Sequence, residues 1–284
     1  MRFAKMHGAG NDFLLFDGRE DPELAANLPE LVARLCHRRY GLGADGVLLL
    51  LPIERHDEAR VIYFNSNGSR ASFCGNGSRC AARFVAERWG LTRVDLITDF
   101  AVVPAEVVGS LVTLTLPAPT AIGEWRTWNS SGDSLRGRLL VIGVPHLVVP
   151  VDWDDFESHP LAALGPALRG HPELPPGGAN VHFVSVDGAD LRIRSWERGV
   201  EGETLACGSG AVATGLIALA EGWVVSPARV HTASGRVLDV MPIGVPPGCG
   251  ARLTGPAEWI AAGDVAPELL DGLTTPTRDR RHLT

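Results

Sequence analysis

Gly210-Ala211-Val212-Ala213-Thr214-Gly215-Leu216-Ile217-Ala218-Leu219-Ala220 carries no charged residue. A helix here would be apolar all round, and such a helix has to be enclosed, most simply by a sheet wrapped around it. Just upstream stands Cys207-Gly208-Ser209. Shifted by 133 positions, Cys207-Gly208-Ser209-Gly210 falls on Cys74-Gly75-Asn76-Gly77. In the same register Tyr63-Phe64-Asn65 falls on Trp196-Glu197-Arg198, and Gly10-Asn11-Asp12-Phe13-Leu14 on Gly143-Val144-Pro145-His146-Leu147. Two copies are too few for a solenoid, so the pattern predicts a duplicated domain.

Each half reads as mixed α/β. Leu24, Leu28, Leu31, Val32 and Leu35 recur at helical spacing. Residues 46–51 and 60–64 look like strands, the second running into the turn-forming Asn67-Gly68. A helix is predicted to open at Cys74-Gly75-Asn76 and to stop before Gly90. Residues 105–108 and 111–116 flank Gly109-Ser110 as a hairpin, and Pro117-Ala118-Pro119 makes a linker. The tail from Thr274 to Thr284 is polar and basic and is expected to be disordered.

Composition narrows the function. The net charge of −7 argues against a nucleic-acid footprint. No apolar run approaches the ~20 residues that span a bilayer. The N-terminal stretch is basic but lacks the apolar core of a signal peptide, so a soluble cytoplasmic protein is expected. The odd set Cys36, Cys74, Cys80, Cys207 and Cys249 is unlike a disulfide framework. Cys74 and Cys80 are too widely spaced for paired metal ligands, and no metal is expected.

Both Cys-Gly-x-Gly segments sit where a loop feeds a helix. First-turn N–H groups and the helix dipole bind carboxylates, and glycine admits a ligand close to the backbone. A thiol at that place has its pKa lowered. Two such halves face to face suggest inversion of an amino-acid α-carbon: Cys74 or Cys207 removes the proton on one face, and the other returns it on the opposite face. N–H groups aimed at the carboxylate stabilise the charge that spreads onto it, with no cofactor required. Other readings fit less well. Gly208-Ser209-Gly210-Ala211-Val212-Ala213 matches a loose dinucleotide fingerprint, but the preceding segment is no apolar strand. A cysteine protease pairing Cys207 with His146 would leave Cys74 unexplained. The C-x-x-C of thiol–disulfide exchange is absent.

These segments resemble the diaminopimelate epimerase family over nearly the whole chain. Met6-His7-Gly8-Ala9-Gly10-Asn11-Asp12-Phe13 is similar to its opening signature, Cys74-Gly75-Asn76-Gly77-Ser78-Arg79-Cys80 to its first cysteine motif, and residues 196–200 with 202–210 to its second. The resemblance implies an α/β (α+β) fold of two pseudo-symmetric domains, each a sheet around a central helix, with the active site in the cleft between them. It implies Cys74 and Cys207 as the two bases and a carboxylate held by the backbone of Gly75-Asn76 and Gly208-Ser209. Asn11, Asn65, Asn180, Glu197 and Arg198 would hold the amino and distal groups, with His146 near a base. It implies no cofactor and an amino-acid substrate, and a homodimer is the general expectation for a soluble enzyme. Because the family's last strand crosses back, the expected domains are 1–117 with 256–284, and 118–255.

On the bare residues, each polar candidate also has a local reading. Asn11, Asn65 and Asn180 could shape turns or strand starts, and Glu197–Arg198 could be a solvated pair. Asp45 is read as shaping its glycine loop. Two departures bear on the substrate: Gly46 and Val144 stand where many family members carry Gln and Asn. They keep open a racemase of another amino acid, or a non-catalytic amino-acid-binding protein, on the same scaffold.

Overall fold

The computed structural model describes residues 1–19, 24–130 and 132–270, so the basic tail named above lies outside the described residues. The first half runs β1 (Arg2–Gly8), β2 (Asn11–Asp17), α1 (Leu24–Cys36), β3 (Gly46–Pro52), β4 (Glu58–Asn65), β5 (Arg70–Ala71), α2 (Gly75–Trp89), β6 (Arg93–Ile97), β7 (Val102–Val108) and β8 (Leu111–Leu116). The second runs β9 (Ala121–Ile122), β10 (Arg126–Ser130), β11 (Asp133–Ile142), β12 (Val144–Pro150), α3 (Leu161–Arg169), β13 (Asn180–Asp187), β14 (Asp190–Glu197), β15 (Gly202–Thr204), α4 (Gly208–Ala220), β16 (Ala228–His231), β17 (Val237–Ile243) and β18 (Gly250–Pro256). β19 (Glu258–Asp264) and α5 (Pro267–Leu270) close the described chain.

Each half repeats one plan. An antiparallel hairpin (β1–β2; β11–β12) pairs in parallel with the next strand (β3; β13), which pairs antiparallel with its successor (β4; β14). That strand pairs in parallel with β6 or β16, and a meander completes the sheet. The sheet wraps the central helix: α2 touches β1–β4 and β6–β8, and α4 touches β11–β14 and β16–β18. The uncharged run at 210–220 is thereby enclosed, with Ala211, Val212, Ala213, Leu216, Ile217 and Ala218 in the core. A second helix covers the outer face of each sheet. Phe13 and Leu15 of β2 therefore face α2 while Leu14 and Phe16 face α1, and the strand is apolar on both faces. The α3 side repeats this with Leu147, Val149, Val181 and Phe183.

The halves are stitched together by strand exchange. β8 pairs antiparallel with β18 across the halves, β9 pairs with β11 within the second, and β19 returns to pair with β1 of the first. Gly90 takes the left-handed conformation (φ 72°) at the end of α2, and Gly109 does so (φ 60°) in the β7–β8 turn, both at the places their sequence contexts predict. β7 begins earlier than expected, at Val102. Pro104 interrupts its apolar pattern, yet the strand is held opposite β6 from Ile97 onward. α3, which contains Pro166, has no counterpart in the sequence reading.

The single offset of 133 holds at β2/β12 and at the helices but not between them. Gly46 lies opposite Asn65, whereas Val181 lies opposite Trp196, which sets Asn180 across from Glu197. Asn65 is therefore the counterpart of Glu197, not of Arg198, and Gly46 that of Asn180. Differences of one residue before β3/β13, two between these strands and β4/β14, and one after them compensate before each central helix begins.

Candidate active site

The central helices meet end to end. Cys74 caps α2 with extended backbone (φ −144°, ψ 115°), and Cys207 caps α4 likewise (φ −120°, ψ 107°). A Cβ placed on Gly75 would stand 3.3 Å from Gly208 Cα, and one on Gly208 would stand 3.2 Å from Gly75 Cα. A side chain at either position would press the two helix starts apart by a few tenths of an ångström, so two N-termini and two thiols converge on one place. The first-turn N–H groups of Gly75, Asn76, Gly208 and Ser209 have no intrahelical carbonyl to bind.

Cys74 Sγ accepts from Gly77 N at 3.4 Å and lies 3.8 Å from Asn11 Oδ1. Cys207 is 4% exposed. The sequence expectation of lowered thiol pKa values is not met in this state. Burial pushes Cys74 up to about 11, with the Gly77 N–H pulling the other way and the nearby Glu197 carboxylate pushing further up. Burial and the Glu197 carboxylate hold Cys207 well above the usual thiol range. The helix termini do favour thiolates, but desolvation outweighs them.

Asn76 is fastened rather than free. Its Nδ2 donates to Ala206 O (2.8 Å) and Asn11 Oδ1 (3.3 Å), and its Oδ1 accepts from Arg79 Nη2 (2.8 Å). Only its backbone N–H is left for a ligand. Asn11 is held in turn by Asp45 Oδ2 (2.7 Å), and Asp45 is gripped by Arg38 Nη2 (2.6 Å). Asn65 Nδ2 donates to Ser69 Oγ (2.9 Å) within its own turn. Asn180 Oδ1 accepts from the backbone N–H of Arg198 (2.8 Å), which fixes the start of the Arg198 loop. Glu197 Oε1 accepts from Thr204 Oγ1 (2.5 Å), and the Cys207 thiol also donates to this carboxyl. Burial raises the Glu197 pKa, and those two hydrogen bonds oppose the rise. Among the described residues the half-buried Arg198 guanidinium has no carboxylate partner. It therefore stands ready for a carboxylate in the fork geometry that Arg provides.

Behind Cys207 lies a polar pair that the sequence reading met only in part. His146 Nδ1 and His182 Nε2 are 2.8 Å apart, and His182 Nδ1 and Ser195 Oγ are 2.8 Å apart. All three side chains are buried, and burial holds His146 down at about 3 and His182 well below the usual range, so both rings are neutral. His182 and Ser195 were missed, although His182 shares a face with Asn180 by the period-two rule. The corresponding places in the first half are Phe13, Leu48 and Tyr63. One thiol thus sits over a mostly apolar floor and the other over imidazoles. His146, His182 and Cys207 bring ligand-type atoms within 4.8 Å of one another, a group that could hold a metal ion among the described residues. Two of its ring nitrogens are already spent on each other.

Arg79, also unread, is wholly buried behind Asn76, and burial pulls its pKa down to about 10. Among the described residues no helix is long and apolar enough to cross a membrane.

The diaminopimelate epimerase family model matches residues 3–98 and 139–259. This chain belongs to that family. It is 38% identical over 258 residues to diaminopimelate epimerase of Gemmatimonas aurantiaca, covering 87% of this chain and 91% of that one. It is 40% identical over 253 residues to the enzyme of the same name from Aquifex aeolicus, covering 84% and 89%. The fold recurs in solved structures of low identity. One is a hydroxyproline epimerase from Agrobacterium vitis (TM-score 0.67, 19% identity, 94% of this chain and 92% of that one). Another is a methylitaconate-delta-isomerase (TM-score 0.62, 14% identity, 96% and 97%).

Proposed function

We propose that this protein is an isomerase that epimerises LL-2,6-diaminopimelate to the meso form without a cofactor, in lysine and peptidoglycan precursor synthesis. Family membership supports the substrate. The observation that carries the chemistry is the abutment of two cysteine-capped helix N-termini at Gly75 and Gly208. The carboxylate of the reacting carbon is held by N–H groups of Gly75-Asn76 and Gly208-Ser209. One thiolate of the Cys74/Cys207 pair removes the α-proton, and the opposite thiol delivers its own to the other face. The pair carries one proton before and after but on the other sulfur, so the enzyme is left poised for the reverse reaction until that proton is redistributed. Charge spreading onto the carboxylate is met by pre-oriented N–H donors, which need no reorganisation. Arg198 takes the distal carboxylate, and Glu197, which accepts from the Cys207 thiol, takes the ammonium of the reacting carbon. Asn11, Asn65 and Asn180 align these groups, while His146 lies beside Cys207. In the empty site desolvation keeps both thiols protonated. Bound ammonium beside them favours the thiolate.

The return of β19 to β1 and the pairing of β9 with β11 support a division into 1–117 with 256–284, and 118–255. A cytoplasmic homodimer completes this reading, and light scattering on the purified protein tests its assembly.

The decisive experiment incubates the reduced protein with LL-diaminopimelate in deuterated water and follows α-deuterium uptake together with the meso isomer. Cys74→Ala and Cys207→Ala should each lower epimerisation by at least about 10³-fold, the order expected when an acid or base is removed. Near-normal turnover in either variant would exclude the two-base scheme. Exchange with a different amino acid alone would redirect the substrate assignment.

A further inference from the structure

Tyr63 was not among the candidates, yet its hydroxyl stands at the cleft. It lies two residues before Asn65 on β4 and so shares that residue's face. Across the sheet, Leu48 is opposite Tyr63 and Gly46 opposite Asn65. A Cβ on Gly46 would come within 2.9 Å of Tyr63 Cε2 and 3.2 Å of the Tyr63 hydroxyl. The phenol shares with the Phe64 carbonyl, 2.6 Å from the same point, the room that a side chain at 46 would need, and glycine there admits both. The ring is steadied by an edge-on contact with Phe13, the centroids 5.9 Å apart.

The titratable groups whose charge acts on this phenol are Cys74, Glu197, Asp45 and Cys36, of which Cys36 lies across the sheet in the core under α1. Cys74 comes from the first half and Glu197 from the second, and Tyr63 lines the same small cavity as Cys74. Burial first, and those neighbours second, hold the phenol well above its ordinary range, so it is neutral and offers both a proton and lone pairs. The residue is partly exposed, and among the described residues its hydroxyl makes no hydrogen bond. Its counterpart in the second half, Ser195, is already committed to His182. The first half thus keeps free a hydroxyl that the second half uses internally.

Burial keeps the two thiols neutral, and among the described residues Glu197 is the carboxyl of this set without a cationic partner, so the group that complements this place is a cation. Asp45 is already neutralised by Arg38, which leaves Glu197 and Cys74 facing the opening. We propose that Tyr63 Oη accepts a hydrogen bond from an ammonium group of the bound amino acid, and that the Gly46–Tyr63 pair is a specificity-determining contact of this site. The inference rests on the epimerase reading above.

Tyr63→Phe removes only the oxygen and keeps the ring against Phe13. KM for LL-diaminopimelate should rise about tenfold, the size of one hydrogen bond to a charged group. kcat should stay within about twofold, and the melting temperature should be unchanged. Pimelate, the same diacid without amino groups, serves as a probe of the carboxylates: equal inhibition of parent and variant, or none of either, supports the assignment. An unaltered KM, a fall in kcat alone, or a loss of pimelate binding confined to the variant would overturn it. If the parent protein does not turn over diaminopimelate, the epimerase reading falls and this one with it. Turnover by the parent with an unaltered KM in the variant removes this one alone.

Discussion

Replacing Asn76 by alanine separates a scaffold role from a substrate-binding one. The side chain is 2% exposed and bridges the halves through Ala206 O, while its Oδ1 accepts from the buried Arg79. The other acceptors of that guanidinium, Gly75 O at 3.4 Å and Pro256 O at 3.3 Å, are long. Losing an acceptor for a charged donor costs about 1.5–3 kcal/mol, and losing a neutral link about 1 kcal/mol. The total for Asn76→Ala is about 2.5–4 kcal/mol, on the order of a 10 °C fall in melting temperature for a chain of this size. Calorimetry and urea denaturation, each at pH 7, read it directly. Most of that cost is a stranded charge. Arg79→Met in the same background should therefore restore about 1–2 kcal/mol, a coupling that two independent sites would lack. A melting temperature within about 2 °C of the parent, or strictly additive effects in the double variant, would refute this account.

Two further outcomes follow from the titrations. His146 and His182 are neutral in the fold, with pKa values below the ordinary 6.5. Their stabilising contribution is present above that value and is lost as pH falls from about 6.5 toward 3, steepening acid unfolding by up to about 1.4 kcal/mol per pH unit for each ring. Urea midpoints between pH 7 and 4 check this, and a flat profile would exclude neutral buried rings. Cys74, raised to about 11, should be alkylated by iodoacetamide slowly at pH 7 in the empty protein, at a rate that climbs through pH 9 to 11. A rate already at its plateau at pH 8 would show that the helix terminus outweighs desolvation after all.

Much of this protein is written in local pattern. The uncharged run at 210–220 requires enclosure, the two Cys-Gly-x-Gly segments announce helix starts, and Gly90 and Gly109 mark where chain direction changes. These are short-range consequences of periodicity, capping and permitted φ, so the paired cysteines and the wrapped-helix fold could be read from the residues. What the sequence could not supply was register and burial. A single offset aligned Asn65 with Arg198, but pairing across β3–β4 and β13–β14 makes Glu197 its counterpart, because loop differences of one and two residues cancel over the length of a half. The same pairing places His182 and Ser195 behind Cys207, and Tyr63 over Gly46. Thiol acidity likewise depended on tertiary structure. The sequence shows the helix terminus that lowers it, while the packing of two halves supplies the desolvation that raises it more. The residue types and their local backbone were determined by the sequence alone. Which side chains share a cleft, and how dry that cleft is, was decided only when two sheets closed around two helices and brought their N-termini together.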